Sequence, residues 1–198
     1  MIGPEKKPAN LMDVIKSRRS VRKYADAVVG PDEVELLARV AREGVRALGT
    51  GSPFFLFVFD PEAKRRLSRA IFSGWFGKVN PWILFTRASG YIVACGRPDR
   101  AAIVGDKYLY LAETAMVMEL VVLAAAELGL GTCWLGGFGE EGVKKALGLD
   151  DQTRVVAVSP LGRPPEKIRA GWLDYVARNL VSKRRVDLGK IVSVVNKK

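Results

Sequence analysis

Residues 106–128 read DKYLYLAETAMVMELVVLAAAEL and contain the most apolar part of the chain. From Ala115 onward the apolar residues cover almost the whole circumference of a helix, which indicates burial on several sides. Gly129 follows at the position where a glycine commonly ends a helix. The stretch therefore predicts one long helix over Asp106–Leu128. This helix lies either at the centre of the core or at a contact with a second copy of the chain.

A first helix is expected close to the N-terminus. Asn10 can cap it, and it ends near Arg18. Leu11, Val14 and Ile15 form its apolar face. A second helix begins at Pro31, since Pro suits the first helical position and acids follow it.

The other predicted elements mix helices and strands. The second helix runs to Gly44 and is followed by a loop at Arg46–Pro53. The remaining ones are a strand at Phe54–Phe59, a helix at Pro61–Ser73, an irregular segment at Gly74–Arg87, a strand at Tyr91–Cys95, a helix from Glu140, a strand at Val155–Val158, a turn at Pro160–Pro165 and a terminal strand at Ile191–Val195. Because they do not follow a regular βαβ order, we expect an α+β fold, with residues 1–198 as one domain.

The composition excludes several kinds of chemistry. The chain has no histidine, so Ser-His-Asp hydrolases, Cys-His proteases and His-ligated metals are ruled out. Cys95 and Cys133 have neither metal-site nor disulfide spacing and are expected to be buried thiols in a reducing compartment. No metal site is predicted. An enzyme with these residues would most simply rely on a cofactor.

The sequence predicts a cytoplasmic protein. Residues Met1–Asn10 are polar and lack the apolar run of a signal peptide. Ala115–Ala126 is interrupted by Glu119 and is expected to be too short and too charged to span a bilayer. We therefore expect no membrane segment.

A formal net charge of +11 favours anionic partners in general. The basic residues are interleaved with acids, and they are denser only at Lys16–Lys23 and Lys183–Arg185. A nucleic-acid-binding protein more often has a basic stripe with aromatic residues in it. Nucleic acid is therefore not the expected partner, although it stays an alternative.

A basic segment, residues 17–24 (SRRSVRKY), follows the first helix. A phosphate dianion needs several fixed donors, and Arg offers a planar fork while Ser offers a hydroxyl. If the chain becomes extended at Ser20, then Arg18, Ser20 and Arg22 lie on one side. Taken alone, such a segment is more often simply a solvated basic stretch.

A glycine segment, residues 129–138 (GLGTCWLGGF), follows the long helix. It does not match a Rossmann fingerprint, which precedes its helix. Adjacent glycines let a planar ligand approach the backbone closely, although an ordinary loop would also contain them. The third segment, LGRPP at residues 161–165, predicts only a turn.

The order of these segments resembles the FMN-dependent nitroreductase family. The similar parts are RRSVRKY, the long helix running into GLGTCWLGGF, VKKALGL, and VAVSPLGRPP, which together cover about residues 13–165. The resemblance implies a mixed, mainly antiparallel sheet flanked by helices, and a homodimer with FMN at the subunit interface. It implies that the FMN phosphate and ribityl chain are bound by Arg18, Arg19, Ser20 and Arg22.

The resemblance also implies roles for glycines and for two C-terminal residues. Gly136 and Gly137 match the place where a backbone N–H faces flavin N5. Lys183 and Arg185 are candidates to complete the phosphate site. The chain departs from the family at Ala47–Phe54, which lacks the Asn and Gln of the family's flavin-contacting stretch.

The leading hypothesis is an NAD(P)H-dependent flavin oxidoreductase. NAD(P)H would reduce FMN, and a small acceptor such as a nitroaromatic or quinone would take the electrons. No side chain is assigned a catalytic role, because the flavin carries the chemistry. The alternatives are a flavin-binding module without significant turnover and a basic nucleic-acid-binding protein. The Trp75–Trp82 segment could cover the flavin or simply pack in the core.

Overall fold

The computed structural model describes residues 10–73 and 81–166. Residues 1–165 form one compact unit, and residues 166–198 form a second. Because only Glu166 of the second unit is described, the prediction of a single domain over residues 1–198 stays a prediction.

One four-stranded sheet organises the first unit, with the strand order β1-β2-β6-β5. These strands span Pro53–Val58, Gly90–Gly96, Arg154–Gly162 and Gly131–Thr132, respectively. Every neighbouring pair in the sheet is antiparallel. The predicted α+β class with a mainly antiparallel sheet is confirmed.

Five α-helices flank the sheet in the described residues. They are α1 at Leu11–Ser17, α2 at Pro31–Leu48, α3 at Pro61–Phe72, α4 at Leu109–Glu127 and α5 at Glu140–Leu147. Short 3-10 helices lie at Pro81–Phe85 and Pro98–Arg100. A small hairpin pairs β3, Ile103–Val104, with β4, Lys107–Tyr108.

The alternation of side chains along β2 divides the core into two layers. Ile92 and Ala94 pack in one cluster with α2 and α4. Tyr91, Val93 and Cys95 pack on the opposite face in a cluster with α3 and α5. This two-sided burial explains why β2 is apolar along its whole length.

Helix α4 is central to the core, as one of the two sequence-based alternatives predicted. It contacts α1, α2 and all four strands of the main sheet. By length and composition alone it could also cross a membrane. Its packing within the chain accounts for much of its apolar character. Gly129, at φ 72°, ends the helix as expected.

Two predicted helix boundaries are wrong. Helix α2 does not stop at Gly44 but continues to Leu48, so Arg46 is helical rather than part of a loop. A Cβ on Gly44 would lie 3.0 Å from Val117 Cγ1, so this glycine serves close packing against α4. Helix α4 begins at Leu109 rather than Asp106, because the β3–β4 hairpin occupies the preceding residues.

The third strand is longer than predicted, since Pro160 lies within β6 rather than in a turn. Val158 exchanges both of its backbone hydrogen bonds with Leu135. Two residues further on, Pro160 directs its nitrogen to the same side, away from β2. The missing N–H therefore costs no hydrogen bond to β2, although Pro160 pairs with Tyr91 there.

The apolar face of α1 is mostly not part of the core. Val14 is buried, but Leu11 and Ile15 are 63% and 47% exposed. Helix α1 rests on α4, and Leu11 and Ile15 face away from the part of the core that the described residues form. The predicted helix is confirmed.

Candidate cofactor site

The basic segment leaves α1 in the extended conformation that the sequence analysis required. Helix α1 ends at Ser17, and Arg18 follows at φ −61° and ψ 130°. The Val21 side chain is buried. Its neighbours Ser20 and Arg22 therefore face the opposite side of the extended chain.

The basic segment lies directly beside the glycine segment. Ser20 forms a parallel bridge with Thr132, and the Val21 N–H donates to the Thr132 carbonyl at 2.7 Å. A Cβ on Gly131 would lie 2.8 Å from the Val21 Cβ, so this close approach requires a glycine. Two segments more than a hundred residues apart in sequence thus form one surface.

The third segment joins the same region through Arg163. The Ala25 N–H donates to the Arg163 carbonyl at 2.9 Å. The Arg163 guanidinium donates to both carboxylate oxygens of Glu33 at 2.9 Å. Glu33 also accepts from the Gly30 N–H at the start of α2. Because its charge is paired in this way, Arg163 supports the fold rather than a ligand.

Arg18 is the residue whose surroundings best suit an anion. Its half-buried guanidinium has Nε 3.7 Å from Glu119 Oε1 on α4. This Nε is buried and lacks a hydrogen-bond partner among the described residues. Buried donors are rarely left unsatisfied, so an additional acceptor is expected here. A phosphate oxygen would meet that requirement.

The other basic-segment residues border the same surface. Arg19 and Ser20 are exposed, and Arg22 is half-buried. Burial is the largest cause of a raised pKa at Tyr24, which lies near Arg22. The segment therefore combines several cationic donors with the buried hydroxyl of Tyr24, which stays protonated.

Gly136 lies beyond the point where the glycine segment leaves the sheet. Leu135 and Val158 form an isolated bridge, and the exposed Gly136 follows. A Cβ on Gly136 would meet no described atom within 4 Å. Nor does Gly136 have the positive φ that favours glycine. The fold itself thus gives no reason for a glycine here, which suits close approach by a ligand.

Some predicted site residues are not placed. Lys183 and Arg185 lie outside the described residues, as do Trp75 and the predicted strand Ile191–Val195. Gly137 is half-buried beside Gly136. Trp82 packs in the cluster of Val21 and Tyr24, in agreement with the interpretation of that segment as core packing.

The sequence analysis assigned no role to Glu119. The available signal was a single carboxylate in the middle of an otherwise apolar helix face, and its partner could be found only from the packing of α1 on α4.

The stretch Ala47–Phe54, which departs from the family pattern, forms hydrogen bonds with other parts of the chain through Thr50 and Ser52. Thr50 Oγ1 donates to Glu113 at 3.0 Å, and the Ser52 Oγ accepts from the Arg97 N–H at 3.3 Å.

Comparison with known proteins supports one assignment. A relative from Archaeoglobus fulgidus is 30% identical over 79% of this chain and 86% of its own length. That relative is named, by inference, as an NADH dehydrogenase/NAD(P)H nitroreductase. A nitroreductase family protein from Clostridium novyi NT superposes with a TM-score of 0.70 at 31% identity, covering 80% of this chain and 87% of that one. A structure titled FMN-dependent nitroreductase, from Clostridium difficile R20291, has a TM-score of 0.63 at 21% identity, covering 81% and 91%. The profile of the nitroreductase family matches residues 15–163, and the chain belongs to that family.

Proposed function

We propose that this protein is an FMN-dependent oxidoreductase that passes electrons from NAD(P)H to a nitroaromatic, a quinone or a related small acceptor. The observation that carries the proposal is the bridge between Ser20 and Thr132, which joins the basic and glycine segments. A cationic surface is thereby continuous with backbone that a flat ring can approach. Family membership supports an oxidoreductase, and the named relatives support NAD(P)H as the electron donor.

The described residues fit the two ends of FMN. Arg18, Arg19 and Arg22 supply positive charge, and the Ser20 hydroxyl supplies a further donor for the phosphate. Gly136 and Gly137 leave the backbone N–H groups accessible for the ring. Lys183 and Arg185 stay candidates for the same phosphate.

The protein's contribution is to bind, orient and polarise. FMN, when bound, supplies the hydride and electron chemistry that no side chain of this histidine-free protein needs to supply. The arginines hold the phosphate, and a backbone N–H of the Gly136 region donates toward the ring. Fixed positive charge favours an anionic form of the cofactor.

The direct test is to titrate the purified protein with FMN and follow the flavin absorption and fluorescence. Arg18→Ala and Arg22→Ala are each expected to weaken FMN binding by about 1–3 kcal/mol, as for loss of a charged hydrogen bond. Arg42→Ala, an exposed arginine of α2 that pairs with Glu35, is the matched control. Riboflavin lacks the phosphate, so its affinity is expected to be insensitive to both substitutions. Unchanged FMN affinity in both variants would refute the phosphate assignment.

Turnover separates the alternatives. Oxidation of NAD(P)H in the presence of menadione is expected for the FMN-loaded protein. Flavin bound without turnover would support the binding-module hypothesis. A colourless protein that binds DNA with a steep salt dependence would support the nucleic-acid hypothesis.

We further propose that the protein is a homodimer that associates through α1 and α4. Apolar side chains from both helices are exposed on the same side, among them Leu11, Ile15, Met116 and Leu120. A groove of about 500 Å³ runs between α1, α2 and α4 and is mainly apolar. Large contiguous apolar patches on a folded chain mark contact surfaces. A second copy is the proposed occupant because an apolar face can be buried against the same face of another copy, and because this face adjoins Arg18.

A charge introduced into this apolar face tests the dimer. Leu120→Glu is expected to convert the dimer to monomer in analytical ultracentrifugation, since the new carboxylate would be buried in the contact. Val28→Glu is the control, because Val28 is 81% exposed and lies in the loop before α2. A wild-type monomer, or a Leu120→Glu dimer as tight as wild type, would contradict the proposal. The acceptor and the cytoplasmic location stay predictions.

A further inference from the structure

Two buried hydroxyl groups, one from Tyr24 at the end of the basic segment and one from Ser159 on β6, lie close to the glycine segment. Ser159 is fully buried; its Oγ accepts from the Cys133 N–H at 3.0 Å and donates to the Pro160 carbonyl at 2.9 Å. Tyr24 is 7% exposed, and its hydroxyl donates to the Val21 carbonyl at 2.6 Å. The same hydroxyl lies 3.5 Å from the Pro160 oxygen. Both hydroxyls therefore meet at one carbonyl.

The position of Ser159 follows from a gap in the strand ladder. Thr132 pairs with Leu161, and Leu135 pairs with Val158, so the register sets Cys133 opposite Pro160. Pro160 has no N–H to donate across this pair. The Ser159 hydroxyl inserts between the Cys133 N–H and the Pro160 carbonyl. These two hydrogen bonds of Ser159 fix the path of the backbone from Cys133 toward Gly136.

The position of Tyr24 has the matching effect on the basic segment. Its hydroxyl fixes the carbonyl of Val21, the residue after Ser20. Its ring packs closely on β6, since a Cβ on Gly162 would lie 2.9 Å from Tyr24 Cδ1. The Tyr24 ring thus holds the basic segment against β6, and the Val21 N–H bonds the same segment to the Thr132 carbonyl.

We propose that Tyr24 and Ser159 are positioning residues that fix the basic segment relative to the glycine segment and so set the affinity for FMN. This inference rests on the proposed function. Both side chains are buried beneath the surface that would contact FMN, so they act through the backbone of Val21 and Cys133. Loss of either hydroxyl removes one hydrogen bond, from the Val21 carbonyl or from the Cys133 N–H, and so weakens the hold on the segment that carries this group.

The first test measures FMN affinity in variants that remove one hydroxyl each. Tyr24→Phe and Ser159→Ala are each expected to weaken FMN binding about 3- to 10-fold, the ratio for one lost hydrogen bond. Thr114→Val and Thr153→Val are matched controls, since their buried hydroxyls bond to Cys95 and Asp150 instead. The controls are expected to change FMN affinity by less than about twofold, as for independent sites. Equal losses in variants and controls at matched thermal stability would overturn the proposal.

The second test uses the protein without flavin and measures amide hydrogen exchange. In Ser159→Ala the Val21 amide, which lies in the other segment, is expected to exchange about tenfold faster, because local opening now includes both segments. In Tyr24→Phe the Cys133 amide is likewise expected to exchange about tenfold faster. The Val93 amide of the core serves as the reference in both variants. Acceleration confined to the segment nearest the substitution would overturn the proposal. Failure of the wild type to bind FMN would instead refute the proposed function, and the exchange result would still decide whether the two segments are coupled.

Discussion

A methyl group at position 136 should separate the stability of the fold from the affinity for the cofactor. A Cβ on Gly136 meets no described atom within 4 Å, and the backbone there does not require a positive φ. Gly136→Ala is therefore expected to stabilise the flavin-free protein by about 0.4–1 kcal/mol, because it restricts the unfolded chain. With FMN bound, the methyl would occupy space that the ring needs. Overpacking of this kind costs about 1–3 kcal/mol, so affinity is expected to fall about fivefold or more.

Two measurements on the same variant decide the outcome. Thermal unfolding of the flavin-free protein reports stability, and quenching of FMN fluorescence reports affinity. Gly142→Ala in α5 is the control, since a Cβ there would make only ordinary contacts at 3.6 Å or beyond. It is expected to stabilise the helix and to leave FMN binding unchanged. A Gly136→Ala protein that binds FMN as tightly as wild type would refute the placement of the ring beside this glycine.

Two further predictions concern carboxylates near the sheet and the site. Glu119→Gln removes the carboxylate charge that competes with a phosphate for Arg18. FMN binding is therefore expected to tighten about 2- to 5-fold at low salt, within the range of an exposed ion pair. Weaker binding in an FMN titration would instead indicate that Glu119 orients Arg18. Burial acts to raise the pKa of Glu140, but hydrogen bonds from the Arg154 side chain and the Val155 N–H outweigh it and hold this pKa below its ordinary value. The resulting stability is fully present above the ordinary pKa of a glutamate and is lost as pH falls through the lowered pKa. Glu140→Gln is expected to lower the unfolding free energy by about 1 kcal/mol at pH 7, and urea unfolding curves that differ equally from wild type at pH 7 and pH 3 would contradict this.

Features that depend on local pattern were predictable from the sequence. The exit of the chain from α1 near Arg18 and the end of α4 at Gly129 were both predicted, because capping and glycine chemistry act over a few residues. The α+β class followed from the irregular order of elements. The contact between the basic and glycine segments at the Ser20–Thr132 bridge, by contrast, was found only from the structure.

Features that depend on tertiary contacts were not predictable. Gly44 looked like a helix end, yet it serves the packing of α2 against Val117. Pro160 looked like part of a turn, but its nitrogen faces away from β2, so a strand tolerates it there. In both cases the deciding partner is remote in sequence.

The role of α4 links the two proposals about this protein. Its inner side fills the core, so it cannot move without disturbing the sheet that carries the glycine segment. Its outer side exposes Met116 and Leu120, and Glu119 between them reaches Arg18. The proposed phosphate-binding surface and the proposed dimer contact are therefore only one side chain apart. A single carboxylate in an apolar helix face is costly at such a contact unless it is paired. Arg18 supplies that pairing, which gives a physical reason for a charged residue between Met116 and Leu120 on this face of the helix.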